Sequence, residues 1–230
     1  MNPEITNLLC ELHSPQLMSV EPFVLKRKLD KTSRVKPSML FYSQKNLSMQ
    51  YAESLTELHS QLTLEFDETV KVYLSQPATF YICIDGKTVP HTPDIMVVLV
   101  SGEVVFIQVK PASVAFSGKY KAKFEQMETF FEQELGTTYL LFTEQRFNQG
   151  KYIENLQMLY PFLSPAPEET HRNVIRDVSN PMTIEELETM CIEAGYSKAN
   201  AWSLIANGHF EYDNTAILTT QSTITPTNKE

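Results

Sequence analysis

The strongest constraint on the fold is a series of three short apolar segments that lie close together in the middle of the chain. They cover residues 79–84, 94–100 and 104–109, and an Asp-Gly and a Ser-Gly turn pair follow the first and the second. Runs of this length, rich in β-branched and aromatic residues and bounded by such turns, are typical of β-strands. The centre of the chain is therefore predicted to form a sheet.

Helical patterns flank these strands. One helix is predicted over residues 119–135 and another near residues 51–62, while residues 138–142 read as a fourth strand and 152–160 as a short helix. The apolar faces of the two longer helices are Phe124, Met127 and Phe131, and Tyr51, Leu55, Leu58 and Leu62. Residues 46–163 are therefore predicted to be one α/β domain, with a mixed sheet flanked by helices.

Length and charge limit the class of protein. The chain has 230 residues, 42% of them hydrophobic, and a formal net charge of −9. This length allows one ordinary domain and a small second one, and the acidic balance disfavours a protein that coats nucleic acid by itself. The longest apolar run, residues 95–100, is too short for a membrane span, and three distant cysteines favour neither disulfides nor a zinc ribbon. A cytoplasmic protein is expected.

The first 45 residues read as an irregular, locally basic arm. Either this is a solvated surface segment, or it contacts DNA phosphates in an otherwise acidic protein. The basic side chains predicted to contact DNA are Lys26, Arg27, Lys28, Arg34 and Lys36 in this arm, together with Lys119 and Lys121 at the start of the long helix.

A second, smaller domain is predicted beyond a Pro-containing linker at residues 164–180. Thr183 and Glu186 form a capping-box signature for one helix, and Ser197 can cap a second. Two strand-like pieces follow, at residues 209–212 and 216–219, so residues 181–220 resemble a small winged-helix module. Because this part is acidic, we expect it to bind protein. Residues 221–230 are predicted to be a disordered tail.

One pattern carries chemistry: Asp94 begins a strand, and Gln108 and Lys110 end the next one. Side chains alternate along a strand, so residues 108 and 110 share a face. Phosphodiester hydrolysis needs a hard oxygen ligand for a divalent cation and a positioned water, and an Asp with a nearby lysine can supply both. The pattern alone is also compatible with ordinary polar residues at strand ends and a lysine that reaches solvent.

Register decides whether these side chains meet. A two-residue turn at Ser101-Gly102 would place Asp94 opposite Val109, on the wrong face of the sheet. A three-residue loop or a bulge would place it opposite Lys110 and diagonal to Gln108. The active-site hypothesis therefore predicts the longer loop or the bulge.

An ordered set of motifs resembles the TnsA family, the endonuclease subunits of heteromeric cut-and-paste transposases. In chain order, these motifs are Tyr51-Ala-Glu53-Ser-Leu-Thr-Glu57, Leu64-Glu-Phe-Asp67, Gln76-Pro77, Asp85-Gly-Lys87, His91-Thr-Pro-Asp94, Ile107-Gln-Val-Lys-Pro-Ala112, Glu154-Asn155 and Leu159-Tyr160. The resemblance covers about residues 34–162 and is weaker around residues 204–208. It implies a restriction-endonuclease-like core, and it includes the family's glutamine where most related nucleases carry glutamate.

The resemblance also implies roles for individual residues. Asp94 would bind the metal ions, Gln108 would ligate one of them through its amide oxygen with help from the Val109 carbonyl, and Lys110 would act on the attacking water. Glu57 on the first helix would hold the second metal ion. Glu53 and, more remotely, Glu65 are the alternatives to Glu57. We expect the neutral ligand at Gln108 to weaken metal binding.

The function implied is that of a Mg²⁺-dependent endonuclease, with Mn²⁺ as a substitute, that cleaves the 5′ strands at transposon ends. Its implied partners are transposon-end DNA, the transposase TnsB and the ATPase TnsC, the latter at the C-terminal module. Such a protein would act in the bacterial cytoplasm, at the nucleoid. Two alternatives stay open: a stand-alone repair or restriction nuclease, and a non-catalytic adaptor that bridges transposase and ATPase.

The remaining candidates are weaker. The five histidines show no metal-ligand spacing, and a surface or hydrogen-bonded imidazole is the default interpretation, although His91 lies near Asp94 and could touch the site. No nucleotide-binding motif is present, so no nucleotide cofactor is expected.

Overall fold

The structure is a computed structural model that describes residues 39–163, 168–176 and 178–227. The chain divides into two compact units between Arg146 and Phe147. Residues 1–38, with the five basic side chains predicted there to contact DNA, lie outside the described residues, as do residues 164–167 of the expected linker. In the parts that are described, no helix combines the length and the apolar character of a membrane span.

The first unit contains eight strands and three α-helices among its described residues. In chain order these are β1 (Met39–Ser43), β2 (Ser48–Ala52), α1 (Leu55–Phe66), β3 (Val70–Ser75), β4 (Phe80–Ile84), β5 (Lys87–His91), β6 (Ile95–Leu99), β7 (Val104–Val109), α2 (Ala112–Ala115), α3 (Gly118–Leu135) and β8 (Thr138–Phe142), followed by a 3₁₀ turn at Glu144–Arg146. Residues 39–45 were expected to be part of an irregular arm, but β1 pairs with β2 in an antiparallel hairpin.

The central sheet has four strands in the order β3-β6-β7-β8. The first three are antiparallel, and β8 lies parallel to β7, because α3 returns the chain to the same end of the sheet. The strand β6 is buried on both faces, with Ile95 and Met96 fully buried on opposite sides, so both faces of the sheet are covered at this strand. The mixed α/β architecture predicted from the sequence, consistent with a restriction-endonuclease-like fold, is confirmed.

The strand predicted at residues 79–84 exists, but it lies outside the central sheet. It pairs with β5 in a separate two-stranded hairpin, in which Phe80 faces His91. The sequence did not predict β5, because Lys87, Thr88 and Pro90 interrupt any apolar pattern.

An aromatic cluster fixes this hairpin against α3. The ring of Phe80 packs edge-on against Phe106 at 5.5 Å and against Phe131 at 5.1 Å. Phe131 in turn stacks on Tyr139 of β8, with ring centroids 4.3 Å apart and an interplanar angle of 4°. The predicted apolar face of α3 is therefore core, and this core lies directly behind the ends of β6 and β7.

The first helix begins later than the apolar spacing predicted. Tyr51 belongs to β2, and Leu55, the first helical residue, is 62% exposed, whereas Leu62 and Leu64 are buried. The helix starts where Ser54 caps it, accepting a hydrogen bond from the Glu57 amide. The cap places Glu57 in the first turn.

The second unit is helical with one small sheet. It contains α4 (Tyr152–Leu159), a 3₁₀ turn at Tyr160–Phe162, α5 (Glu168–Ile175), β9 (Met182–Thr183), α6 (Ile184–Glu193), α7 (Lys198–Ala206), β10 (Phe210–Tyr212) and β11 (Thr223–Pro226). Both predicted capping residues are confirmed: Thr183 forms a capping box with Glu186, and Ser197 forms one with Asn200. The helix α5 lies within the segment that was expected to be linker.

The end of the chain differs from the prediction. Residues 216–219 form no strand, and β11 pairs instead with β10 and β9 to make an antiparallel sheet in the order β10-β11-β9. The expectation of a disordered tail from residue 221 is therefore wrong for residues 223–226. Ile224 is fully buried, and this burial orders a segment whose Thr-rich composition looks unstructured. The winged-helix assignment stays a prediction.

Candidate functional site

Asp94 lies at the entrance to β6, held by the backbone of two neighbouring segments. Its amide donates to the Ile107 carbonyl at 3.1 Å, and its carbonyl accepts from the Gln76 amide at 2.8 Å. The side chain reaches the end of β7 and is 14% exposed. Asp94 is thus a largely buried carboxylate on a rigid edge of the sheet.

A single oxygen of Asp94, Oδ2, gathers three donors from consecutive residues of the neighbouring segment. It accepts hydrogen bonds from Gln108 Nε2, from the Val109 amide at 2.7 Å and from Lys110 Nζ at 3.4 Å. Lys110 Nζ also donates to the Val109 carbonyl at 2.9 Å. The structure therefore brings Asp94, Gln108, Val109 and Lys110 together, as the sequence hypothesis required.

The register that achieves this differs by one step from the expected one. Residues 100–103 lie between β6 and β7, and the Leu99 amide donates to the Glu103 carbonyl, which leaves a three-residue loop as predicted, but over residues 100–102, with Gly102 donating to the Leu99 carbonyl. The pairing Ile95↔Ile107, continued by one residue, sets Asp94 beside Gln108 and diagonal to Lys110. The prediction had Lys110 beside Asp94 and Gln108 diagonal to it. The structure exchanges these two positions, because the loop begins one residue earlier than assumed. The shared face is unaffected.

The electrostatics of Asp94 are set mainly by burial, which raises its pKa from the ordinary 3.8 to about 6. The Lys110 ammonium and the Val109 amide oppose this rise, and the charge of Glu57 adds to it. The site therefore holds a carboxylate that lacks sufficient positive charge around it. Such a group favours a cation at this position.

Glu57 approaches the same region from α1. Its carboxylate accepts hydrogen bonds from the Glu53 amide at 2.8 Å and from Ser54 Oγ at 3.0 Å, which completes the cap of the helix. Its charge nevertheless acts on Asp94. Glu65, the remote alternative, is buried elsewhere on α1 and accepts hydrogen bonds from Tyr73 and the Gln44 amide, so its carboxylate is used in the core.

Two further residues join the site: Tyr139, which the sequence did not indicate, and His91, which was named only as a residue that could touch it. Tyr139 of β8 donates a hydrogen bond from its hydroxyl to Gln108 Oε1 at 3.0 Å, and His91 Nε2 lies 2.6 Å from the same hydroxyl. Burial lowers the pKa of His91 to about 4, helped by the charges of Lys123 and Lys110, and burial raises that of Tyr139. A buried tyrosine in an apolar strand needs a hydrogen-bond partner for its hydroxyl. That requirement is the one feature of the sequence that could have indicated a polar contact at Tyr139.

The beginning of α3 adds a basic edge. Lys119 and Lys121 are exposed there, and Lys123, two positions further, is close enough to lower the pKa of His91. The half-buried Tyr120 also faces the site, because the charge of Asp94 contributes to the rise of its pKa. Contact of Lys119 and Lys121 with DNA stays a prediction that their exposure permits.

The oxygens at this site fit a hard divalent cation. Among the described residues, no three His, Cys, Asp or Glu side chains form a metal-binding group, so a metal ion here depends on neutral oxygens beside the carboxylates. The Lys110 ammonium donates hydrogen bonds to Asp94 Oδ2 and to the Val109 carbonyl, two of the expected ligands. These two oxygens can therefore bind a positively charged group. Carboxylate, amide and carbonyl oxygens are the donors that Mg²⁺ takes.

The comparison with protein families agrees with this geometry. Residues 67–144 match the family model described as TnsA-like endonuclease N terminal. The matched segment runs from the start of β3 to the 3₁₀ turn after β8, and it contains Asp94, Gln108 and Lys110 but not Glu57. The search of curated proteins found no matching relative.

Proposed function

We propose, from the match of residues 67–144 to the TnsA-like endonuclease N-terminal family model, that the protein is the metal-dependent endonuclease subunit of a heteromeric transposase. It would cleave the 5′ strands at transposon ends with Mg²⁺, and Mn²⁺ would substitute. The observation that carries the proposal is the convergence of Asp94, Gln108 and Lys110 on one buried oxygen cluster.

The proposed ligands of the cation are the oxygens of Asp94, Gln108, Val109 and Glu57. A bound divalent cation would offset the negative charge that develops on the phosphate. The chain itself supplies rigidity, since the backbone of Asp94 is fixed on one side by Gln76, directly after β3, and on the other by Ile107 of β7. Glu57 approaches from a separate element and is held only by its own helix cap, so it is the more adjustable ligand.

Lys110 is the proposed partner of the attacking water. Its side chain is 32% exposed, so one side of the ammonium faces solvent while the other rests on Asp94 and Val109. With a divalent cation bound there, Asp94 Oδ2 and the Val109 carbonyl would already have a positive partner, and the Lys110 ammonium would be free to leave them. It could then hold a water by hydrogen bonding and donate a proton at that oxygen or, after losing its own proton to solvent, accept one from the water.

One observation favours the second candidate function, a non-catalytic adaptor with a nuclease fold. Gln108 is neutral, and Lys110 already pairs with Asp94, so the site is compatible with a structural ion pair. Cleavage therefore has to be tested in strand-resolved form.

The proposed partners are TnsB, TnsC and transposon-end DNA, with TnsC docking on the second unit. The helix α6 of this unit is acidic on its exposed face, which carries Glu185, Glu186 and Glu193. This surface repels phosphate and suits a protein partner that carries basic groups.

The test is a cleavage assay on DNA that carries the transposon ends, with Mg²⁺ and the transposase encoded beside this protein. We expect wild-type protein to cut the 5′ strands and Asp94→Asn to leave them intact while 3′ joining continues. The matched control is Asp85→Asn, which changes an exposed aspartate in the β4–β5 turn and should cut normally.

Full 5′ cleavage by Asp94→Asn would remove Asp94 from the mechanism. If wild-type protein left the 5′ strands intact but its addition still increased joining in the presence of the ATPase, the adaptor function would replace the nuclease. Cleavage of plain duplex DNA by the protein alone would instead indicate a stand-alone nuclease.

A further inference from the structure

Two buried side chains, Gln108 and Tyr139, and the half-buried His91 form a hydrogen-bonded file that leads away from Asp94. Gln108 Nε2 donates to Asp94, the Tyr139 hydroxyl donates to Gln108 Oε1 at 3.0 Å, and His91 Nε2 stands 2.6 Å from that hydroxyl. Gln108 is 2% exposed and Tyr139 1%. Buried polar groups must satisfy one another, so the direction of each hydrogen bond determines the next.

The direction seen in the structure is unfavourable for metal binding by Gln108. The amide nitrogen faces Asp94 and the amide oxygen faces Tyr139. A metal ion beside Asp94 needs the oxygen on that side, because an N–H group cannot ligate a cation. Gln108 therefore has to turn its amide by half a turn, which exchanges the positions of oxygen and nitrogen.

We propose that Tyr139 and His91 are positioning residues that allow this turn, by accepting the reversed hydrogen bonds and so letting Gln108 present its oxygen to a divalent cation. After the turn, Gln108 Nε2 donates to the Tyr139 oxygen, and the Tyr139 hydroxyl donates to a lone pair on His91 Nε2. The two hydrogen bonds behind Gln108 are kept, and contact of its amide oxygen with the cation would replace the hydrogen bond from Gln108 to Asp94. This inference rests on the proposed function, because it concerns the same metal site.

The protons balance in both directions because imidazole has two tautomers. While Tyr139 donates to Gln108, the hydrogen between His91 and Tyr139 belongs to Nε2 of His91. In the reversed file the hydroxyl hydrogen of Tyr139 turns toward His91 Nε2. The imidazole then carries its own single hydrogen on Nδ1 after exchange with solvent, which the half-buried ring can reach. The reversal needs a neutral imidazole, and the burial that holds the pKa of His91 near 4 keeps it neutral at physiological pH.

Packing restricts the motion to protons and to the amide group. The ring of Tyr139 lies between Phe131, at 4.3 Å, and Phe124, at 5.1 Å, and is stacked on both. His91 packs edge-on against Phe131 at 6.5 Å. The two stacked rings hold the Tyr139 ring in place, so the hydroxyl stays within reach of Gln108 in both states.

Charge makes the two amide orientations depend on the metal ion. Without a cation, an amide oxygen turned toward the Asp94 carboxylate would be repelled by it, which favours the orientation seen here. With a cation between the two oxygens, the reversed orientation is favoured. The hydrogen bonds among Gln108, Tyr139 and His91 thus allow a neutral glutamine to stand where other nucleases carry glutamate. Neither the Gln108 amide nor the Tyr139 hydroxyl loses its hydrogen-bond partner.

The experiment measures Mn²⁺ affinity of the full chain by calorimetry, which does not depend on cleavage. Wild type is compared with Tyr139→Phe, Gln108→Glu and the double variant. We expect Tyr139→Phe to weaken binding by about tenfold, the usual effect of losing an outer partner of a metal ligand. In the Gln108→Glu background, the same change should cost less than about threefold, because a carboxylate offers an oxygen in either orientation. Tyr81→Phe, on the exposed side of β4, is the matched control.

The outcomes separate the two proposals. Wild-type affinity in Tyr139→Phe would overturn the positioning role, and so would equal losses in both backgrounds, since the hydroxyl would then act in another way than through the amide. If the wild-type protein did not bind Mn²⁺, the proposed function would be overturned, and the positioning role of Tyr139 and His91 with it. If Tyr139→Phe does not fold, His91→Leu should weaken binding and His91→Gln, which keeps a donor and an acceptor, should restore it. Equal affinities in those two variants would overturn the proposal.

Discussion

Asp94 is held in a place where its negative charge is poorly compensated. Burial favours the protonated form, and neither Lys110 nor the Val109 amide fully offsets it, so the pKa lies at about 6. A carboxylate of this kind makes the metal-free protein less stable when it ionises. Removing the charge should therefore stabilise the fold while it removes the proposed activity, as is common for functional residues.

This leads to a pH-dependent prediction for the metal-free protein. The folded pKa of Asp94 exceeds the unfolded one, so the folded state binds the proton more tightly between pH 4 and 6 and loses stability as the pH rises through that window. Asp94→Asn should have a higher melting temperature than wild type at pH 8, by an amount corresponding to about 3 kcal/mol at most. The difference should shrink toward pH 4.5. Thermal denaturation in a chelating buffer measures it, and a constant difference across the range would contradict the predicted cause.

Lys110 should separate metal binding from cleavage. Its ammonium competes with a cation for Asp94 Oδ2 and the Val109 carbonyl, so Lys110→Met should bind Mg²⁺ at least as tightly as wild type. It should also cleave at least about 100-fold more slowly, because it lacks the group proposed to act on the water. Titration calorimetry and single-turnover cleavage measure the two effects. Lys87→Met, on the exposed face of β5, should change neither, and a large loss of affinity in Lys110→Met would make Lys110 a structural partner of Asp94.

The side chains around Asp94 were partly predictable from the sequence. Strand alternation put residues 108 and 110 on one face, and that rule needs no tertiary information. Tyr139 and His91 are 48 positions apart and meet only because β8 and the β4–β5 hairpin pack against the same helix. No local pattern specifies such a meeting.

At the level of elements, α3 and its aromatic face connect the hairpin with the central sheet. Phe131 is fully buried and touches the rings of Phe80, Phe106 and Tyr139. Phe131→Ala should destabilise the protein by about 3–5 kcal/mol, because it leaves a cavity in this cluster. Urea denaturation measures the loss, with Phe116→Ala, whose ring is 65% exposed, as a control that should change stability little. A loss below about 1 kcal/mol for Phe131→Ala would mean that the cluster rearranges.

Elements were predictable where their residues are apolar and periodic. The strands at residues 104–109 and 138–142 and the helix that ends at Gly136 lie where the sequence placed them. The strand β5 contains Lys87 and Pro90, and β11 is formed by alternating threonines with only Ile224 buried. The strands β5 and β11 both depend on a partner strand for their conformation, and local propensity does not predict which segment that partner is.

At the level of the whole molecule, the two units divide the chain earlier than its composition indicates. The Pro-containing segment at residues 164–167 marked residue 163 as the expected end of the nuclease domain, whereas the structure ends the first unit at Arg146. The reason is the apolar face of α4, where Ile153, Leu156 and Leu159 are buried in the second unit. A Pro-containing segment that looks like a linker is not a domain boundary when the helix before it packs against the residues that follow the segment.

This division predicts which truncation isolates the metal site. A chain that ends at residue 146 keeps the whole first unit, so it should be monomeric and bind Mn²⁺ with wild-type affinity, yet fail to retain TnsC in a pull-down. A chain that ends at residue 164 keeps α4 without the helix α7 that it contacts, so it should expose Ile153, Leu156 and Leu159 and self-associate. Size-exclusion chromatography with light scattering compares the two, with the full chain as reference. A monomeric chain ending at 164 beside an unfolded chain ending at 146 would restore the later boundary, and retention of TnsC by the chain ending at 146 would place the docking surface on the nuclease unit.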